Sequence, residues 1–186
     1  MQFHQCDLRG VYEITLEPRS DERGFFMRTF DRQLFDRSGI NVEWVQENHS
    51  RSIQKGVIRG LHFQFAPHAE TKLIRCIRGG ILDICVDLRT GSPTFGEWRS
   101  FELTEGNKKM VLIPRGCAHG FCTLTDESEV VYKVDNYYTP QAEGGVIWND
   151  PDLQITWPAA SPLLSEKDSK LKTLKEFKAI HKGLIP

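Results

Sequence analysis

Turn-forming residues punctuate this chain about every eight to twelve positions, and the runs between them are short and β-rich. Val11–Leu16 and Phe25–Phe30 flank the turn chemistry of Pro18–Gly24, and Val42–Gln46 is extended. Lys72–Ile77 and Ile81–Leu88 are joined by Arg78-Gly-Gly80, a hairpin signal. Trp98–Leu103, Met110–Ile113, Ala118–Leu124 and Val130–Val134 continue the series, with Ile147–Pro151 and Ile155–Trp157 as late extended pieces. Glu47–Ser52 is polar and reads as a loop. Such punctuation leaves room for little helix and points to an all-β sandwich or barrel. Two helices are predicted. A short one spans 32–38, with Asp31 as N-cap and Gly39 as its stop. A C-terminal one starts at the capping box Ser165-Glu-Lys-Asp168, with Leu171, Leu174, Phe177 and Ile180 at helical spacing. No repeat or linker divides the chain, so residues 1–186 are expected to form one domain.

Bulk properties narrow the function. The formal net charge is −1, which favours neither nucleic acid nor a membrane surface. No apolar run reaches membrane-span length, and the first residues do not read as a signal peptide. The five cysteines are odd in number and include no CxxC pair. Cys76 and Cys85 sit inside apolar runs as small hydrophobes. A reduced, cytoplasmic protein is the expectation.

One stretch gathers chemistry: Lys55-Gly-Val-Ile-Arg-Gly-Leu-His-Phe-Gln64, followed by Lys72. On a strand Gly60, His62 and Gln64 share one side, while Leu61, Phe63 and Phe65 share the other. Gly56 and Gly60 leave room for a ligand or a close backbone approach. Further on, Pro114-Arg-Gly-Cys-Ala-His119 resembles the second motif of the cupin β-barrels. In metal cupins that histidine joins an HxH pair and a carboxylate. Here the corresponding positions read His62-Phe-Gln64 and Lys72. An ammonium repels a metal cation and an amide replaces imidazole poorly, so no metal is expected.

Longer stretches extend the resemblance. Asp21-Glu-Arg-Gly-Phe-Phe26, Gln46-Glu-Asn-His-Ser50, Gly56–Gln64, Lys72-Leu-Ile, Asp87-Leu-Arg89 and Ser92-Pro-Thr-Phe-Gly96 come first. Ile113–Phe121, Asn136-Tyr-Tyr-Thr-Pro140, Trp148-Asn-Asp-Pro151, Ile155-Thr-Trp-Pro158 and Leu164–Asp168 follow. In this order they resemble the sugar-nucleotide 3,5-epimerases typified by dTDP-4-dehydrorhamnose 3,5-epimerase. The resemblance implies a cupin jelly-roll barrel, usually a homodimer, whose N-terminal strands reach the neighbour. It implies a cofactor-free isomerase acting on a nucleotide-linked 4-keto-deoxy sugar. By residue, it makes His62 the base, Asp168 its orienting carboxylate, Tyr138 the acid on the opposite face and Lys72 the cation near the C4 oxygen. Arg59 and Arg23 resemble diphosphate-binding residues, and Phe26, Gln46, Asn48 and His119 other pocket residues. The chemistry suits these types: imidazole abstracts protons near neutrality, a phenol donates one, and a guanidinium fork matches phosphate. Read from the residues alone, Asp168 is the N3 acid of its capping box.

Three departures bear on the substrate. Arg28 stands where the family usually has glutamate, Glu70-Thr71 replaces Gln-Gly before Lys72, and Cys117 replaces a common phenylalanine. They leave the carrier open among dTDP, CDP, GDP and UDP. A 3,4-ketoisomerase and a non-catalytic sugar-nucleotide binder are the other readings.

Overall fold

Alternation along Gly80–Asp87 sets the layering. Ile81 and Cys85 enter one buried cluster, with Ile74, Val111, Phe121 and Val130. Ile84 and Val86 enter another, with Leu61, Leu174 and Phe177. Both faces of this strand are therefore covered, which is why it carries so few exposed polar residues.

The structure, a computed structural model, describes residues 1–186. Four short strands, β1 (Gln2–Gln5), β2 (Tyr12–Thr15), β3 (Arg19–Asp21) and β4 (Gly24–Phe26), precede α1 (Arg32–Arg37). Then come β5 (Gln46–Ser52), β6 (Ile58–Gln64), β7 (Lys72–Arg78), β8 (Gly80–Asp87), β9 (Trp98–Thr104), β10 (Lys109–Ile113), β11 (Cys117–Thr123), β12 (Ser128–Val134) and β13 (Glu143–Gly145). The last element is α2 (Leu174–Ile180). A six-stranded sheet runs β1-β2-β10-β7-β12-β5 and a five-stranded sheet β13-β6-β11-β8-β9. Their strands pair antiparallel, and sequence neighbours repeatedly fall in opposite sheets. The two sheets close over the first cluster as a cupin-type jelly-roll barrel. No helix is long and apolar enough to cross a membrane.

Each outer face has its own cover. Phe35 of α1 and Ile40 pack on Ile14, Leu73, Met110 and Leu112 of the six-stranded sheet. Asp31 caps α1 as expected, accepting from the backbone N–H of Gln33 and Leu34. Leu174, Phe177 and Leu184 cover the five-stranded sheet.

Several local expectations are corrected. The turn at Gly79-Gly80 joins β7 and β8 without pairing them: β7 lies between β10 and β12 and β8 between β11 and β9, so the expected hairpin is a crossing between sheets. Residues 46–52 form β5, not a loop: Glu47, His49 and Arg51 reach Lys133, Glu129 and Glu127 on β12 and the adjoining turn, and these contacts support a polar edge strand. The strand after Gly24 stops at Phe26, short of Phe30. The stretches 147–151 and 155–157 form no strand. The C-terminal helix begins at Leu174, not near Ser165, and its capping box is Thr173–Glu176. Backbone bridging of Lys172 to Val146 holds the chain extended until then, and residues 168–170 make only a 3-10 turn. The N-terminal β1 has no counterpart in the sequence reading.

The Asp87-Leu-Arg89 and Ser92-Pro-Thr94 motifs are structural. Asp87 is fully buried and accepts from Arg89 Nε (2.9 Å) and Nη2 (2.7 Å), Ser92 Oγ (2.6 Å) and Thr94 Oγ1 (2.6 Å). Burial alone would raise its pKa, but these donors hold it at about 2 against an ordinary 3.8. A carboxylate depressed in the folded state stabilises above its unfolded pKa and loses that contribution as pH falls through the folded one. Wild type is thus expected to exceed Asp87→Asn by about 2 kcal/mol at pH 6, with the gap closing between about pH 4 and pH 2. Urea melts of both proteins across that range test this; a pH-independent gap would show that charge is not the cause.

Candidate active site

Inward-facing positions of both sheets turn polar toward β5 and β6, and a chamber of about 550 Å³ opens there. His62 of β6, His119 of β11 and Lys72 of β7 line it, with Ser50 of β5 and Tyr132 of β12. Val57–Arg59 and the segment Leu163–Asp168 complete the wall. His62 pairs in register with His119, bringing two imidazoles to adjacent strands. Gly60 makes that closeness workable. A Cβ there would meet the Gly120 Cα at 2.5 Å and the His119 carbonyl at 2.8 Å, and its φ of +127° also favours glycine.

Three bases in the chamber each hold a carboxylate. His62 Nε2 lies 2.6 Å from Asp168 Oδ1, an aspartate only 4 % exposed. Burial pushes the Asp168 pKa up, but the His62 hydrogen bond and charge, helped by the Gly60 N–H, bring it below the usual carboxylate value. The side chain that sequence alone assigned to a helix cap is thus aimed at His62, and the Asp168 backbone N–H donates to Ser165 Oγ at 3.0 Å. His119 Nε2 lies 2.8 Å from Asp83 Oδ2, and Asp83 is fully buried. Burial raises the Asp83 pKa, against the opposing pull of His119 and Lys72. Lys72 Nζ lies 3.0 Å from Glu70 Oε1.

The sequence-selected residues separate into two groups. His62, Asp168, Lys72, His119 and Arg59 line one chamber. Arg59, at its rim, donates to Ser52 Oγ (3.3 Å) and the Arg51 carbonyl (3.2 Å). Gln46 and Asn48 share the inward parity of Ser50 on β5, opposite Val134 and Tyr132. Tyr138 is 56 % exposed and outside the lining, its hydroxyl donating to Glu143 Oε2 at 2.9 Å. That hydrogen bond to Glu143 raises its pKa. Arg23 and Phe26 stand on the exposed β3–β4 hairpin, Arg23 paired with Asp21 at 2.6 Å and Phe26 69 % exposed. Neither lines the chamber.

Sequence reading missed Tyr132, Lys167, Asp83 and Glu143. Parity could have found Tyr132, because it shares the strand face of the buried Val130 and Val134. Burial pushes its phenol up in pKa, so it holds its proton at neutral pH.

Such a chamber can remove a proton with one group, stabilise the resulting oxyanion and return a proton from another wall. The comparisons agree with that chemistry. The family profile described as dTDP-4-dehydrorhamnose 3,5-epimerase matches residues 5–176. A Shigella flexneri protein of that name is 49 % identical over 158 residues, covering 83 % of this chain and 87 % of the relative. The Bacillus anthracis enzyme of that name, solved with TDP and PPi bound, superposes with TM-score 0.91 at 43 % identity, covering 93 % and 99 % of the two chains. The Legionella pneumophila dTDP-6-deoxy-D-glucose-3,5-epimerase, in complex with dTDP-4-keto-L-rhamnose, gives 0.91 at 38 %, covering 96 % and 95 %. With a profile match over most of its length and relatives this close, the chain belongs to the dTDP-4-dehydrorhamnose 3,5-epimerase family.

Proposed function

We propose that this sugar-nucleotide epimerase inverts C3 and C5 of a dTDP-linked 4-keto-6-deoxyhexose, in deoxysugar biosynthesis. The dTDP carrier is supported by the ligands of the Bacillus and Legionella structures, TDP and dTDP-4-keto-L-rhamnose, and double inversion by the family's activity as a 3,5-epimerase. The observation that carries the reading is the chamber itself. His62 stands on the five-stranded sheet and is met by Asp168 from the C-terminal segment, while the half-buried Tyr132 phenol and Lys72 stand on the six-stranded sheet, all lining one chamber.

The 4-keto group acidifies the hydrogens at C3 and C5. His62 takes one as a proton, and the C–H electron pair moves onto the C4 oxygen as an enolate. Asp168 orients the imidazole and stabilises the imidazolium. The Lys72 ammonium faces the oxyanion. Protonation from the opposite face completes inversion; in this reading Tyr132, which lines the chamber, supplies that proton in place of Tyr138, which does not line it. Tyr138, with Gln46 and Asn48, then contributes to the mouth, where Arg59 meets the diphosphate. His119, held by Asp83, completes the sugar pocket.

The β3–β4 hairpin fits a homodimer. Arg23 and Phe26 lie outside this chain's chamber yet expose a guanidinium and a phenyl ring, the groups a diphosphate and a base would meet. In the dimer they serve the chamber of a second copy.

Proton NMR in D2O with dTDP-4-keto-6-deoxyglucose tests the reaction, with CDP-, GDP- and UDP-linked sugars as comparators. Exchange at C3 and C5 with the dTDP sugar is expected. Exchange at one carbon would make the enzyme a monoepimerase, and exchange only with another carrier would overturn dTDP. No exchange with any would favour a binding protein.

A further inference from the structure

Glu70 is a charged departure from the family pattern and lies against a proposed catalytic group. Lys72 and Glu70 are each only 11 % exposed at the side chain, so their 3.0 Å contact is not a solvated surface pair. The second Glu70 oxygen accepts from Gln64 Nε2 at 3.2 Å. That amide nitrogen also reaches the His68 carbonyl at 2.9 Å and the Tyr137 carbonyl at 3.3 Å. Gln64 Oε1 in turn accepts from the Thr139 N–H at 2.7 Å. One carboxylate thus connects the ammonium of the chamber to the chain around Tyr138 at its mouth.

We propose that Glu70 is a positioning residue for Lys72, fixing the ammonium where the sugar's oxyanion forms. A lysine head on a flexible four-carbon stem has little geometry of its own and needs an anchor. Glutamine at position 70 would keep the size and lose the anchor. Turning its oxygen to Lys72 would set its NH2 against that of Gln64, two donors facing each other. The inference rests on the reading that Lys72 faces the C4 oxygen.

The test is a double-mutant cycle on dTDP-4-keto-6-deoxyglucose turnover, with melting temperatures measured alongside. Lys72→Ala is expected to lower kcat by about 10²- to 10³-fold. Glu70→Gln is expected to lower kcat by about tenfold with little change in KM, because misplacement of the cation acts on the transition state. In the Lys72→Ala background Glu70→Gln is expected to add nothing further. Ethylammonium is expected to restore part of the Lys72→Ala rate when Glu70 is present and not when it is glutamine. If Lys72→Ala turns over normally, the role given to Lys72 falls, and this inference with it. If Lys72→Ala is impaired but Glu70→Gln is not, only the positioning role of Glu70 falls. Equal losses from Glu70→Gln in both backgrounds would make it a structural residue of the mouth and also overturn the proposal.

Discussion

Replacing His62 with alanine is expected to lower turnover by about 10³- to 10⁴-fold, the upper range for removing a general base. Deuterium uptake at C3 and C5 should fall together, because one imidazole serves both carbons. The substitution reaches no hydrophobic cluster, so the barrel should persist. It does strand a carboxylate: Asp168, 4 % exposed, keeps only the long 3.4 Å contact from the Gly60 N–H. A stability loss of about 1–3 kcal/mol should accompany the kinetic one. Added imidazole should restore some exchange, since Asp168 remains to orient it. Near-normal turnover in the variant would refute the assignment of the base.

Tyr132→Phe is expected to separate two steps that wild type performs together. In the proposed mechanism enolisation uses His62, Asp168 and Lys72, all intact in this variant, so wash-in of deuterium should stay within about tenfold. Inversion needs a proton from the other wall and should fall by about 10²- to 10³-fold. Tyr138→Phe should change inversion much less, because that phenol donates to Glu143 outside the chamber. Comparing exchange with product formation in the two variants decides between the tyrosines. The reverse ranking would return the acid role to Tyr138, and equal losses of exchange and inversion in Tyr132→Phe would argue against a selective acid.

Local regularity made much of the fold legible. The alternation in Ile81–Asp87 correctly gave β8, because side-chain parity is a property of the strand itself, but the Gly79-Gly80 turn leads from one sheet to the other and makes no hairpin, since each strand finds its partners elsewhere in the chain. Asp31 gave the start of α1 for the same local reason. Errors arose where tertiary contacts override pattern. β5 looks like a loop because its partners lie on and beside β12, about eighty residues away. The delayed start of α2 depends on Lys172 bridging to Val146. Among site residues, resemblance brought His62, Lys72, His119 and Asp168 to one chamber, although no spacing rule links residues 62 and 168. Of the residues missed, Asp83, Glu143 and Lys167 act through partners in other strands or in the C-terminal segment, and a linear pattern does not display those.

Asp168 belongs to no strand of either sheet; it comes from chain that crosses the finished barrel and is fastened beyond it by Leu174, Phe177 and Leu184. The barrel and its competence as a catalyst are therefore distinct achievements of one polypeptide. The carboxylate that pairs with His62 is thus supplied by a segment outside both sheets. A lesion in the fastening, such as loss of the Phe177 ring, is expected to register in an activity assay as damage to the proposed base, although His62 itself is untouched. Natural variants in this tail call for assays of catalysis as well as of folding.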